Sequence, residues 1–165
     1  ITDQEMRFYY GAYRGTAIGA VGLNRQAVGA KDYYSGVGLA IIPRDRFVAV
    51  GINPESPVKG QKRGAPQLVN TIGQVTLRPI SLEGVQRLTL NAAANRGSVR
   101  VEILDEDGYR VRGFSRDDAL ALTADGLAQE AKWRNKSLRG LPPGNYHIRV
   151  HLQSADLFAV TLHAR

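Results

Sequence analysis

The sequence predicts an all-β protein, an antiparallel β-sandwich of jelly-roll-like form with additional N-terminal strands. Two segments carry this prediction: apolar and polar residues alternate cleanly over residues 146–153, and residues 97–114 are typical of a β-hairpin around a DEDG turn. Turn signals also recur about every ten residues in the second half of the chain, as in β-sandwiches. We expect three parts: N-terminal strands over 1–52, a connecting loop over 53–70, and the β-sandwich domain over 71–165.

The first part, residues 1–52, is expected to form a few strands. An aromatic-rich strand is predicted over Met6–Tyr10, and the continuous apolar run Val37–Ile42 is typical of a strand buried on both faces. The glycine-rich stretch between them is expected to be loop, with at most one short strand. After a turn at Pro43–Arg46, Phe47–Val50 is predicted to return as a strand. The following residues, 53–70, contain three prolines and two glycines, which favours a linker or long loop.

The sandwich domain is predicted to begin with short strands at Gln74–Leu77 and Arg87–Asn91. In the hairpin, Val99, Val101 and Ile103 share one strand face, and Tyr109–Arg112 is predicted as the returning strand.

Three further elements complete the predicted domain. Leu127–Trp133 alternates like a strand, although its composition would also suit a short helix, and we prefer the strand. Tyr146–Leu152 is the cleanest amphipathic strand of the chain, and Leu157–His163 closes the domain.

Composition narrows the classes of partner. The formal net charge is +7, and 43% of the residues are hydrophobic. The basic residues are spread along the chain, with loop clusters at residues 59–63 and 134–139, and neither cluster has the interleaved aromatics of a stacking platform. A solvated basic surface is therefore favoured over nucleic-acid binding, with attraction to acidic polysaccharide as a smaller alternative. No apolar run reaches the roughly 18 residues of a membrane helix, so no membrane partner is expected.

Metal and cofactor sites are weakly supported. The chain has no cysteine, and His147 and His151 would lie about 13 Å apart along one strand, too far to share a zinc ion. The aspartates of the DEDG turn could contribute to a Ca²⁺ site, but turn propensity explains them as well. Asp117 and Asp118 could cap a turn of helix through Leu122. No nucleophile elbow, phosphate-binding loop or dinucleotide motif occurs, so we expect no cofactor and name no catalytic residue.

Aromatic side chains are the best candidates for sugar contact, because sugars stack their C–H faces on exposed rings. Tyr33 and Tyr34 lie in a glycine-flanked loop and form the best exposed pair, with ordinary loop packing as the alternative. Trp133 is a third candidate for carbohydrate binding, although a core position is the more usual place for such a residue.

Two sets of segments resemble parts of known bacterial proteins. Phe8–Gly11, Gly36–Ala40 and Arg44–Phe47 resemble the closing part of five-bladed β-propeller proteins related to fructosidases and arabinanases. The segment 97–114, together with Asp125, Trp133, Arg149–Leu152 and Ala155–Phe158, resembles the β-sandwich that follows the propeller in many glycoside-hydrolase-like proteins.

The resemblance implies a chain without its own catalytic centre. In such propellers the catalytic carboxylates come from early and middle blades, so none is carried over to this chain. Independently of the resemblance, the first residue, Ile1, is not a methionine, so we expect the sequence to begin inside a longer precursor or after removal of a tag. We therefore expect a non-catalytic, carbohydrate-associated module that binds a polysaccharide or oligosaccharide or supports a catalytic propeller domain. The alternatives are a purely structural accessory domain and an autonomous glycan-active enzyme with an unrecognised site. The expected location is extracellular or periplasmic.

Overall fold

The computed structural model describes residues 1–14, 34–51 and 72–164. The chain divides into two compact units, Ile1–Arg44 and Asp45–Arg165. The described residues form antiparallel strands, with one short 3₁₀ turn and no α-helix among them. This confirms the predicted all-β class.

The described residues of the first unit form one antiparallel pair of strands. Strand β1 (Glu5–Arg14) pairs with β2 (Tyr34–Pro43). Gly38 lies opposite Tyr10, and a Cβ at that position would overlap the tyrosine ring, so the close pairing requires glycine. Both predicted strands are confirmed, but the prediction that residues 37–42 are buried on both faces is wrong, because Val37 is 79% exposed.

The described residues of the second unit form two sheets. Its strands, in chain order, are β3 (Ile72–Thr76), β4 (Ile80–Ser81), β5 (Val85–Ala93), β6 (Ser98–Leu104), β7 (Asp125–Glu130), β8 (Asn145–Gln153) and β9 (Asp156–Ala164). In the first sheet, β8 is central and pairs with β3 and β4 on one side and with β6 on the other. In the second sheet, β5 lies between β7 and β9.

The core lies between the two sheets. It is built from the alternate apolar residues of β5, β6 and β8, namely Leu88, Leu90, Ala92, Val99, Val101, Ile103, Ile148, Val150 and Leu152. Phe114 and Trp133 complete it, with their ring centroids 5.1 Å apart and an interplanar angle of 63°, an edge-to-face contact. The predicted sandwich and the predicted strand at residues 146–152 are confirmed.

The hairpin predicted over residues 97–114 is half right. β6 forms as predicted, and the amide of Gly108 donates to the carbonyl of Asp105 to close the turn (3.0 Å). The predicted return strand is wrong, because after the turn Arg110 forms an isolated bridge with Leu104. Gly108 and Gly113 both have φ of 85°, so the backbone leaves the extended region twice within six residues. The long ladder of β6 runs instead along β8.

Two other local predictions are also wrong. Phe47–Val50 is not a strand: one residue of it, Val50, pairs with Leu157, and this contact belongs to the second unit. No helix follows Asp118. Leu122 instead forms a β-bridge with Val99, in which the amide of each residue donates to the carbonyl of the other (2.8 Å each). The strand predicted over 127–133 is confirmed as far as the end of β7. The predicted connecting loop over 53–70 lies outside the described residues.

Candidate functional site

The outer face of the first sheet, turned away from the core, carries three rows of side chains. The rows follow from the pairing of β3, β8 and β6, and each crosses the sheet through a residue of β8. They are Ile72–Gln153–Ser98, Gln74–His151–Arg100 and Thr76–Arg149–Glu102. Because side chains on a strand alternate between faces, these rows are polar except for Ile72, although the intervening residues form the core.

A loop folds along the free edge of β6 and adds charged side chains to these rows. Nη1 of Arg100 donates a hydrogen bond to the carbonyl of Ala119 (2.7 Å), which fixes the loop beside the strand. The amide of Arg134 donates to the carbonyl of Asp118 (3.0 Å), so the segment after Trp133 lies next to the same loop. Arg116 and Asp117 are thereby brought near the first two rows.

The result is an open cavity of about 460 Å³. We call it the arginine pocket. It is lined by Ile72, Ser98, Arg100, Arg116, Asp117, Arg134, His151, Leu152 and Gln153. The volume falls within the usual range for small-molecule sites. Among the described residues of this lining, three guanidinium groups stand against one carboxylate, so this part of the pocket is cationic.

Beside the pocket lies a buried carboxylate, Glu102, whose side chain is 1% exposed. Its Oε2 lies 3.0 Å from Nε2 of His151 and 3.7 Å from Nη1 of Arg149. Its Oε1 lies 3.0 Å from Nε of Arg110, an ion pair without the geometry of a directed hydrogen bond. Glu102 thus orders the basic side chains on this face while its own charge is balanced by arginine.

The loop that supplies Arg116 is held by a local hydrogen-bond ring. Oδ2 of Asp118 accepts from the hydroxyl of Ser115 (2.6 Å) and from its amide (3.1 Å). These hydrogen bonds, with a smaller contribution from the charge of Arg134, lower the pKa of Asp118 below its ordinary value of 3.8. The carboxylate is therefore committed to the loop.

A second polar cluster lies on the other sheet. Arg46 donates through Nε to Oδ1 of Asn91 (2.9 Å) and through Nη2 to Oδ1 of Asp125 (2.5 Å). Its guanidinium carbon lies 4.6 Å from the ring centroid of Phe158. The hydrogen bond from Arg46 lowers the pKa of Asp125. Because Arg46 is largely buried, this cluster anchors residues 45–51 to the sandwich.

Of the three residues predicted for carbohydrate contact, Trp133 is the one whose side chain the structure describes, and it does not line the arginine pocket. Tyr33 lies outside the described residues. Tyr34 is the first residue of β2 and lies opposite Arg14, and the structure does not describe its side chain. Trp133 is 6% exposed, and its Nε1 donates to the carbonyl of Val101 (2.9 Å), which places the ring in the core as the alternative interpretation expected.

The histidines are separate, as their spacing predicted. His147 and His151 share the outer face of β8, but the first contacts the carbonyl of Leu77 (2.9 Å) and the second contacts Glu102. On the other sheet, Nε2 of His163 lies 2.8 Å from the hydroxyl of Thr89. Within residues 1–14, 34–51 and 72–164, no group of three or more acidic or histidine side chains could hold a metal ion.

The pocket residues were missed because each is ordinary in sequence. The alternation of β6 and β8 assigns Arg100 and His151 to the polar strand faces, so this much is visible. The sequence gives no local signal for the pairing of β6 with β8, because the paired residues are about fifty positions apart. It also gives none for the position of the loop that carries Arg116.

No helix in the described part of the chain is long and apolar enough to cross a membrane. Comparisons with protein-family models, with curated proteins and with solved structures found no match to this chain. The resemblance to sandwiches that follow β-propellers therefore stays a prediction.

Proposed function

We propose that this chain is a non-catalytic, carbohydrate-associated β-sandwich module that binds a polysaccharide or oligosaccharide through the arginine pocket. The observation that carries the proposal is the composition of the pocket wall. Ser98 and Gln153 offer hydrogen-bonding groups for sugar hydroxyls, and Ile72, which is 53% exposed, offers an apolar surface beside them. A sugar presents the same combination of hydroxyl groups and C–H faces.

The position of the pocket also supports binding. Ile72, Gln153 and Ser98 form one row across three paired strands, so their spacing is fixed by backbone hydrogen bonds. Side chains of a binding site are held in more precise positions on strands than on loops. An extracellular or periplasmic location, where polysaccharides occur, is part of the proposal.

Affinity electrophoresis tests it. The chain is run in native gels that contain a neutral polysaccharide such as dextran or xylan, or an acidic one such as polygalacturonate. We expect at least one polysaccharide to retard the protein, and Gln153→Ala to weaken the retardation. Gln4→Ala is the matched control, because Gln4 is an exposed amide of the first unit. Absence of retardation in every gel would contradict the proposal.

A second candidate function is favoured by the apolar surface of the N-terminal hairpin. On one face of the paired strands, Tyr9 is 71% exposed, and Val37, Leu39 and Ile41 are also exposed. An isolated two-stranded hairpin is marginally stable in water, and contiguous exposed apolar surface marks an interaction site. A purely structural accessory domain that packs this face against a catalytic propeller would account for it.

The two candidates give different results. If the structural role is correct, no polysaccharide retards the chain, and the hairpin binds the apolar dye ANS. The variant Leu39→Glu/Ile41→Glu would then reduce ANS fluorescence, whereas a variant of the arginine pocket would not. A hairpin that binds no dye before substitution would contradict the structural candidate.

A further inference from the structure

We propose that the arginine pocket selects acidic glycans, that is, sugars that carry a carboxylate or a sulfate group. This inference rests on the proposed function and adds the ligand class. Among the described residues, three arginines and His151 line the pocket together with one carboxylate, that of Asp117. The planar guanidinium group matches carboxylate and sulfate oxygens with two parallel hydrogen bonds, which neutral sugars cannot exploit in the same way.

Within the described part of the chain, the Arg100 guanidinium is held by a backbone carbonyl and not by a carboxylate. Its Nη1 donates to the carbonyl of Ala119, which is a neutral acceptor. The side chain is therefore held in position without a counter-charge on that bond. A guanidinium that is already ordered loses less conformational entropy when an anion binds.

His151 is held in a similar way. The carboxylate that contacts it, Glu102, also lies close to Arg110 and Arg149. Two guanidinium groups outweigh one buried carboxylate, so Glu102 does not make the surroundings of the pocket acidic. Because Nε2 of His151 donates to Glu102, the orientation of the imidazole ring is fixed.

The carboxylate within the pocket is a weak competitor. Asp117 Oδ1 lies 3.3 Å from Nε of Arg116, and the two side chains are 85% and 56% exposed. Exposed pairs of this kind contribute little free energy, so a ligand anion can replace Asp117 as the partner of Arg116. The neighbouring Asp118 is committed to Ser115 and does not cancel the charge of Arg134 by a direct hydrogen bond.

The test compares ligands of different charge in the presence of physiological salt. Dissociation constants are measured for dextran, polygalacturonate and chondroitin sulfate, with the wild-type chain and with Arg116→Ala/Arg134→Ala. We expect both acidic polymers to bind more tightly than dextran, and the double variant to lose about tenfold in affinity for them, since loss of one charged contact at each of two exposed positions amounts to roughly 1.4 kcal/mol.

The matched control is Arg78→Ala/Arg112→Ala, which removes the same charge from residues outside the pocket lining. Arg78 follows β3 at the end opposite Ile72, about 20 Å along an extended chain. We expect this control to keep the wild-type affinity, and circular dichroism checks that all variants fold. Dextran sulfate, which carries sulfate groups and no carboxylate, is compared with polygalacturonate to show which anionic group binds better.

The outcomes separate the two proposals. If the control loses as much affinity as the pocket variant, binding follows the net charge of +7 and the inference is overturned. If dextran binds as tightly as the acidic polymers, the module binds glycans but does not select acidic ones. If no polymer binds, both the inference and the proposed function fail.

Discussion

His151 and Glu102 meet between neighbouring strands of the first sheet, where the imidazole Nε2 lies 3.0 Å from a carboxylate oxygen whose side chain is almost fully buried. Burial of a carboxylate without hydrogen-bonding or charged partners would cost folding free energy. The contact with His151 and the two neighbouring arginines therefore offset the cost of burying Glu102. The relationship links the stability of the sandwich to the order of the pocket, because His151 also lines the arginine pocket.

Substitution of Glu102 is expected to destabilise the fold. Glu102→Gln removes the charge that balances Arg110 and Arg149, and we expect the free energy of unfolding to fall by about 3 kcal/mol, near the lower end for broken buried pairs because Arg110 is exposed. Urea denaturation measures the change. Glu83→Gln, at an exposed carboxylate, is the control. Equal stability of the two variants would show that the buried charge cluster is not stabilising.

The single tryptophan gives a direct measure of core packing. Since Trp133 is buried and its Nε1 is bonded to the carbonyl of Val101, its fluorescence should resist quenching by iodide in the folded protein and become accessible in urea. Glycan binding at the pocket should not increase its accessibility. Ready quenching in the native state would contradict the core position and revive the predicted sugar contact.

Arg46 is expected to stabilise the attachment of residues 45–51. Arg46→Ala removes hydrogen bonds to Asn91 and Asp125, and we expect a loss of about 1–3 kcal/mol in the free energy of unfolding. Thermal denaturation at neutral pH measures it, with Arg44→Ala as the control, because the side chain of Arg44 is 45% exposed and its ion pair with the fully exposed Asp3 spans 3.6 Å. A variant as stable as the control would mean that the cluster contributes nothing.

The hydrogen-bond ring at Ser115 predicts a dependence of stability on pH. The pKa of Asp118 is lower in the folded protein than its ordinary value of 3.8, so the folded state favours the carboxylate. Its stabilising contribution is complete above 3.8 and is lost as the pH falls through the lowered value. The wild-type protein should therefore be more stable than Asp118→Asn at neutral pH, and the difference should shrink below pH 3.8.

Ser115→Ala tests the cause of this dependence. It removes the hydroxyl that donates to Asp118, which is the first cause of the lowered pKa. The difference between Ser115→Ala and Ser115→Ala/Asp118→Asn should then vary less with pH. A difference that persists unchanged to strongly acidic pH would rule out the carboxylate as its source.

The strands of the sandwich were predictable because their signal is local. The alternation in residues 146–153 depends on neighbours in the chain, and it correctly assigns Ile148 and Val150 to the core. The return strand predicted after Gly108 did not form, although its signal is also local. Its residues alternate, and the amide of Val111 still donates to the carbonyl of Ile103. The chain then turns at Gly113, and the amide of Ile103 donates to the carbonyl of Phe114 (3.0 Å), so the ladder does not continue.

The pocket was not predictable in the same way. Ile72, Ser98 and Gln153 share a row, yet they are separated by 26 and 55 positions in the sequence. Their proximity depends on the register of three strands, which is fixed by the packed core and not by the polar residues themselves. The sequence-based prediction chose aromatic residues because their rings can stack on sugars whatever their neighbours are. Arginines in loops were not chosen because they are also typical of an ordinary solvated surface.

The most direct test of the account is to map where a glycan contacts the chain. In a titration of ¹⁵N-labelled protein with oligogalacturonate, followed by amide chemical shifts, we predict that the largest changes fall on Ser98, Arg100, Arg134 and Gln153. Changes confined to the hairpin of β1 and β2, or no changes at saturating glycan, would contradict the claim that this sandwich binds carbohydrate through the arginine pocket.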